Sequence, residues 1–349
     1  MPTPSERLVA TRTAFQTALL DWYGEQRRSL PWRESPALYK TVVSEFMLQQ
    51  TQVKTVLPYF ARWLEALPDF SSLAAAPEER VLKLWEGLGY YSRARNLHKL
   101  AKAVAAMPTP PRDPVGWREL PGVGPYTAAA ITSISFGTPA ACVDGNVVRI
   151  LARLTADGAP FRDSASAAKA LTPLAESLLS PENPGDHNQA MMELGATVCT
   201  RHNPLCTVCP VRVFCAAARA GDPESYPKLA AKKIEQRAVT RVWCVHLGRI
   251  LLHRAAPSAR RLSNLLELPE AETLGLQPKP ETLIAIKRRA ITRFQITESI
   301  HAITPSSALL KQIANDRTLE WVAWDGLDAV TLSGPHKRWI GELRIRHGG

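Results

Sequence analysis

Four cysteines crowded into one short loop constrain this chain more than any other feature. Cys199, Cys206, Cys209 and Cys215 follow the spacing C-x6-C-x2-C-x5-C. Arg201, Asn203, Pro204 and Pro210 lie among them, a loop composition that a packed apolar core would not take. Four thiolates on so short a tether converge on one point, which suits a tetrahedral metal or a [4Fe–4S] cluster. Zinc sites usually pair two short Cys-x-x-Cys or His knuckles. Only one Cys-x-x-Cys occurs here, with unequal flanking spacings, so iron–sulfur is favoured over zinc. Cys142 and Cys244 stand apart and read as ordinary buried thiols. Clustered cysteines that hold metal rather than pair as disulfides fit a reducing compartment.

The 349 residues leave room for about two domains. With 45% hydrophobic residues, each can bury a core. A net charge of +11 favours a polyanionic partner, DNA or RNA first. Charge alone does not single out nucleic acid. Arg7, Arg12 and Asp21 interrupt any apolar leader, and no stretch has the composition of a membrane span. The expectation is a soluble monomer in a bacterial cytosol, with no membrane partner.

Residues 5–220 read as mostly helical. Val42, Phe46 and Val53, then Val81, Leu84, Trp85 and Leu88, repeat at helical spacing. Pro77 with Glu78 and Glu79 starts a helix that Gly87 and Gly89 end. Residues 188–198 form another helix running into the cysteines. From about 238 the texture changes: Arg237–Leu247 is rich in β-branched and aromatic residues, Gly248 marks a turn, and Ile284–Ile303 holds strand-like pieces. The expected division is a helical catalytic domain over 1–220, a charged, Pro-containing linker over 221–237, and a smaller α+β domain over 238–349.

Leu120-Pro121-Gly122-Val123-Gly124-Pro125-Tyr126-Thr127 opens a helix. Two glycines two apart let the backbone turn tightly and uncover its N–H groups, and a helix N-terminus adds partial positive charge. With a helix before it and another after, this is the form of a helix–hairpin–helix. Gly122, Val123 and Gly124 would seat DNA backbone without reading sequence.

Together, this hairpin, Val143-Asp144-Gly145-Asn146-Val147-Val148-Arg149 and the cysteine spacing resemble the helix–hairpin–helix glycosylase superfamily, which includes endonuclease III. Val43-Ser44-Glu45-Phe46-Met47-Leu48-Gln49-Gln50-Thr51-Gln52-Val53 and Trp85-Glu86-Gly87-Leu88-Gly89-Tyr90-Tyr91-Ser92-Arg93-Ala94-Arg95-Asn96-Leu97 are similar to the adenine DNA glycosylases of the MutY type. The resemblance runs over about residues 15–220. It implies a mainly α fold with an iron–sulfur loop, followed by a smaller α+β, Nudix-like domain. It also implies a [4Fe–4S] cofactor on the four cysteines and a double-stranded DNA partner holding adenine opposite 8-oxoguanine or guanine.

Cleaving an adenine–sugar bond requires protonating the leaving base and stabilising a cationic sugar, work for two carboxylates. The acid needs a raised pKa and hence an apolar setting. Glu45 lies among Val43, Phe46, Met47 and Leu48; an arbitrary glutamate would face water, but by resemblance this one protonates the flipped adenine. Asp144 can cap the following helix, and by resemblance it stabilises the sugar cation, through transient covalent bonding with net retention. Tyr126 stands where the endonuclease III type carries a Schiff-base lysine, which implies a monofunctional enzyme. An adenine within a duplex must be flipped out. The resemblance gives the gap to Gln50 and Tyr90 with Leu48 nearby, adenine's edge to Gln189, whose amide can pair bidentately with it, and the pocket mouth to Arg33. Arg93, Arg95 and Lys99 are either solvated helix charges or phosphate contacts.

In the C-terminal part, Asn264-Leu265-Leu266-Glu267-Leu268-Pro269 resembles a family segment that commonly has Trp where Leu266 stands. The paired glutamates of the Nudix catalytic signature are absent, so no pyrophosphatase activity is expected. The family's Phe-Ser-His recognition loop corresponds to Ile291-Thr292-Arg293-Phe294. There Thr292 keeps a hydroxyl for the lesion, and Arg293 would contact phosphate or a base edge. Two other readings stay open: an endonuclease III-like glycosylase and lyase for oxidised pyrimidines, and a non-catalytic iron–sulfur DNA-binding redox sensor.

Overall fold

The computed structural model describes residues 2–231, 233–256, 265–291 and 293–347. They form two compact units, Met1–Ala74 with Lys99–Ala231, and Ala75–His98 with Lys232–Gly349. This division differs from the expected one in two ways. The segment 75–98, assigned from sequence to the helical domain, groups with the C-terminal unit because its side chains bond there: the Glu86 carboxylate accepts from Leu332 N at 2.9 Å, and the Tyr91 hydroxyl donates to Leu332 O at 2.9 Å. The expected linker 221–237 is also split. Phe161 N donates to Lys228 O at 2.8 Å and Ala230 N to Phe161 O at 2.9 Å, so its first part belongs to the first unit, while Glu235 already begins a strand.

The first unit is helical, as expected. Its main helices are Arg12–Gln26, Leu38–Leu48, Val53–Ala66, Pro125–Phe136, Gly145–Thr155, Ser164–Leu178 and Pro184–Thr197. Local signals start and stop them. Pro125 and Pro184 occupy first turns, where no N–H is needed, and Gly137 ends its helix in left-handed backbone (φ 68°). Phe15, Leu19, Val147, Leu151, Leu154, Met191 and Leu194 share one core. Each such side chain contributes about 1.5–3 kcal/mol by leaving water.

Two glycines let the Pro184–Thr197 helix press against its neighbours. A Cβ on Gly185 would lie 2.7 Å from Ser133 O, and one on Gly195 would lie 2.5 Å from the Asn146 Cβ. The second approach matters for chemistry, because Asn146 stands next to the cap of the Gly145–Thr155 helix, Asp144.

The second unit holds the α+β part. Its strands are β1 (Glu235–Trp243), β2 (Val245–His246), β3 (Arg249–Arg254), β4 (Leu266–Glu267), β5 (Leu283–Ile291), β6 (Phe294–Ala302) and β7 (Leu319–Ala323). One sheet has the order β1-β6-β5, with β1 parallel and β5 antiparallel to β6. In the other, β3 pairs antiparallel with β2, β4 and β7. Trp243, Ile250, Leu252, Leu266, Leu268, Ile300 and Trp339 form a core. Beside it Arg241 Nε pairs with Glu298 Oε2 at 2.8 Å. Burial would raise the Glu298 carboxyl, but a hydrogen bond from His336 and the charges of Arg241 and Arg289 outweigh it and hold it at about 2.

Gly195→Ala is expected to lower stability by about 1–3 kcal/mol through overpacking against Asn146, read as a drop in melting temperature. An unchanged melt would show that the two helices have room to separate.

Candidate active site

Helix Leu38–Leu48 is buried over most of its length, including all of residues 41–47, so Glu45 is carried into the interior by its own neighbours. This helix packs on Pro125–Phe136, which brings Tyr126, and that helix packs on Pro184–Thr197, which brings Gln189 and Glu193. The first unit thereby gathers Arg33, Glu45, Leu48, Tyr126, Asp144 and Gln189 around one cavity of about 560 Å³. Six of the residues singled out in the sequence therefore share a site.

Glu45 is 7% exposed. Burial pushes its carboxyl up to about 7; the nearby Asp144 charge adds to the rise, while a hydrogen bond with Tyr126 and the charge of Arg33 oppose it. Asp144 caps the Gly145–Thr155 helix: Oδ1 accepts from Asn146 N at 2.9 Å and Val147 N at 2.8 Å, and Oδ2 accepts from Asn146 Nδ2 at 3.2 Å. Burial raises its pKa too, against those N–H groups and Arg149. The Tyr126 hydroxyl donates to Met192 Sδ at 2.8 Å. Its phenol is held well above its usual value, first by burial and then by Glu45, Cys142 and Asp144. Burial drives the Glu45 carboxyl toward its acid form, while the helix N–H groups and Arg149 favour the ionised form of Asp144 against its own burial, so the two groups of one cavity can supply a proton and an anion to the same ligand.

The sequence reading passed over a second cluster at this cavity. Glu193 is 1% exposed. Arg33 Nη2 pairs with Glu193 Oε2 at 3.0 Å, and Arg28 Nε with Glu193 Oε1 at 2.5 Å. Arg33 Nε also donates to Gln189 Oε1 at 3.1 Å. Burial opposes ionisation of Glu193, but the two guanidiniums hold its carboxyl below the usual range. Its sequence signal was its place four residues after Gln189, on the same helix face; the arginines lie too far away in sequence to be seen. Asn188 fixes the neighbouring backbone, accepting from Cys142 N at 2.9 Å and donating to Ser133 Oγ at 2.9 Å.

The remaining predicted residues lie elsewhere. Gln50 is exposed at the turn after the Glu45 helix, in left-handed backbone (φ 56°), and Tyr90, 48% exposed in the second unit, shares that conformation (φ 48°). Arg93 does not project into solvent as a helix charge: it is buried, with its guanidinium 5.3 Å from the Trp85 ring centroid. Gly122 (φ 77°) makes the hairpin turn, Val123 is buried beneath it, and Gly124 caps the Pro125–Phe136 helix. In the second unit Arg293 pairs with Glu235 at 2.8 Å and lies over Phe294. Thr292 and Asn264 lie outside the described residues.

Cys199, Cys206, Cys209 and Cys215 line one pocket with Val198, Leu205 and Arg153. As placed, no three His, Cys, Asp or Glu side chains among the described residues close on a single ion. Four cysteine side chains lining one pocket are a donor set that an iron–sulfur cluster can use. Arg153 Nη1 donates to Cys199 Sγ at 3.3 Å. Arg149 donates to Cys199 O at 2.8 Å and to Asn146 Oδ1 at 2.9 Å, so a hydrogen-bonded path runs from the cysteine loop to Asp144.

Because Glu45 keeps its proton longer in the folded state, stability falls as pH rises from the ordinary carboxyl range to about 7, by about 3 kcal/mol in all. Glu45→Gln does not titrate. Its melting temperature relative to the parent chain should therefore climb between about pH 5 and about pH 8. A difference that stays constant with pH would contradict a raised pKa.

Residues 43–173 match the family model described as HhH-GPD superfamily base excision DNA repair protein. The chain is 46% identical to the adenine DNA glycosylase of Homo sapiens, over 98% of this chain and 64% of that protein. It is 41% identical to that of Schizosaccharomyces pombe, over 58% of this chain and 49% of that protein. The chain thus spans less than two thirds of the length of either relative. Among solved structures, a thermostable thymine-DNA glycosylase aligns with a TM-score of 0.53 at 28% identity, covering 60% of this chain and 98% of that one. Endonuclease III in a non-covalent DNA complex aligns at 0.51 and 21% identity, covering 63% and 99%, and shares the fold. Over residues 43–173 the chain is thus similar to the helix–hairpin–helix superfamily of base excision DNA repair proteins, and along nearly its whole length it is similar to adenine DNA glycosylases.

Proposed function

We propose that this chain is a monofunctional DNA glycosylase that acts as a monomer on double-stranded DNA and hydrolyses the bond between adenine and its sugar where adenine faces 8-oxoguanine or guanine. The observation that carries this reading is the shared cavity of Glu45 and Asp144, one carboxyl held near neutrality by burial and the other fixed at a helix N-terminus. The flipped base enters beside Glu45, which gives its proton to the ring as the bond to the sugar lengthens and the bonding electrons leave with the base. Asp144 Oδ2, the less constrained of its two oxygens, faces the positive character at the sugar and forms a bond there that water later replaces. Gln189 reads the base edge: its oxygen accepts from Arg33 and keeps a second lone pair, and its amide N–H groups donate. Tyr126 has no amine, so no Schiff base forms and the strand is left intact.

Supporting the DNA partner are the hairpin at Gly122–Gly124, the net charge of +11 and the similarity to a DNA-bound endonuclease III fold. A [4Fe–4S] cluster on Cys199, Cys206, Cys209 and Cys215 would brace the loop after the Pro184–Thr197 helix; the electron-transfer capacity is the cluster's own.

Duplexes holding adenine opposite 8-oxoguanine, adenine opposite guanine, or thymine glycol separate the readings when incubated with the protein and then treated with or without alkali. Adenine should be released, with strand breaks only after alkali. Release of thymine glycol alone would identify a pyrimidine glycosylase, and binding without release a sensor. Glu45→Gln should slow excision by about 10²–10⁴-fold, the usual worth of a general acid, while DNA binding survives; retained turnover would remove Glu45 from this role. Purified protein should contain about four iron atoms per chain, and zinc in their place would contradict the cluster.

A further inference from the structure

Tyr90 sits on a turn that the C-terminal residues hold in place. Gly87, Gly89 and Tyr90 all take left-handed backbone, at φ 107°, 71° and 48°. A tyrosine in that region is strained, so neighbouring contacts must stabilise the turn. Trp85 Nε1 donates to Gly89 O at 3.0 Å, and Arg93 Nη2 donates to Leu88 O at 3.1 Å. The Arg93 guanidinium lies 5.4 Å from the Tyr90 ring centroid, bracing the side chain as well as the backbone.

The residues flanking the turn converge on one peptide unit further along the chain. Glu86, 8% exposed, accepts from Leu332 N at 2.9 Å, from Lys83 Nζ at 3.0 Å and from Lys337 Nζ. Tyr91 donates to Leu332 O at 2.9 Å. Both backbone groups of Leu332 are therefore taken up by the two ends of the Tyr90 turn. The segment around Leu332 is bonded in turn to β4: Leu266 N donates to Thr331 O at 3.1 Å, and Ser333 N donates to Leu266 O at 3.0 Å. This continuous hydrogen-bonded path runs within the second unit from the strand at Leu266, through residues 331–333, to the turn that carries Tyr90.

We infer that Glu86 and Tyr91 are positioning residues for base extrusion: by gripping Leu332 they tie the Tyr90 turn to β4, so that the C-terminal unit sets how Tyr90 enters the duplex. This rests on the glycosylase reading above and on the resemblance that gives the vacated gap to Tyr90. A group that helps open the stack contributes only where there is a stack to open, because flipping a paired base costs a few kcal/mol and flipping an unpaired one costs less. A group that merely maintains the fold contributes equally to both substrates.

The test is single-turnover release of adenine by the full chain from two duplexes, one with adenine opposite guanine and one with adenine opposite an abasic-site analogue. Tyr91→Phe removes one hydroxyl and keeps the ring; Glu86→Gln keeps an acceptor for Leu332 N and loses the charge facing the lysines. Tyr91→Phe should be about five- to tenfold slower on the paired duplex, the worth of a lost buried hydrogen bond, and within about twofold of the parent on the unpaired one; Glu86→Gln, which keeps its bond to Leu332 N, should be slowed less than Tyr91→Phe on the paired duplex. Glu45→Gln should be slow on both. Equal slowing of Tyr91→Phe on the two duplexes, or no slowing on either, overturns the inference, and Tyr91→Phe decides alone if Glu86→Gln melts far below the parent. If the parent chain releases adenine from neither duplex, the glycosylase reading falls and takes the inference with it.

Discussion

The chemistry of this fold rests on the removal of the Glu45 carboxyl from water. A carboxyl on a buried helix face resists ionisation because the surrounding atoms solvate charge poorly. Asp144, at the same cavity, adds like-charge resistance, and the Tyr126 hydroxyl and Arg33 give back only part of it. The balance leaves a proton on Glu45 near neutrality, where an ordinary glutamate has none. The folded state bears the cost of that burial, a common trade at sites built to react.

The second carboxyl is kept in position by backbone. Asp144 takes two N–H groups of the helix it begins, and that helix can lie against Pro184–Thr197 only because residue 195 has no side chain. The same contact places Gln189 and Glu193 at the cavity, while Arg149 joins Asn146 to the carbonyl of Cys199. The cysteine loop, Asp144 and the helix face that carries Gln189 and Glu193 are thus consecutive parts of one packed assembly, and movement of the loop would be felt at Asp144.

Much of this was legible in the sequence. Glu45 is singled out by the resemblance of the motif around it, its apolar neighbours alone not being enough; Asp144 could be read as a helix cap, the hairpin from its paired glycines, and the C-terminal strands from their β-branched runs. What could not be read depends on distant partners. Glu193 looks like an ordinary helix glutamate until Arg28 and Arg33, some 160 residues earlier, close on it. Segment 75–98 has the periodicity of the helical domain, and its side-chain bonds to Val330, Leu332 and Lys337 place it with the other unit. Arg93 looks like a solvated helix charge, yet it braces a turn.

Whether Glu45 carries a proton at neutral pH can be measured directly. Infrared difference spectra between the parent chain and Glu45→Gln isolate the carboxyl C=O stretch of that one residue and follow it through a pH titration. A protonated-carboxyl band that persists through about pH 6 and fades with a midpoint near 7 is expected from its burial. A residue already ionised at about pH 5, as an exposed glutamate would be, would contradict the sheltered acid on which the rest depends.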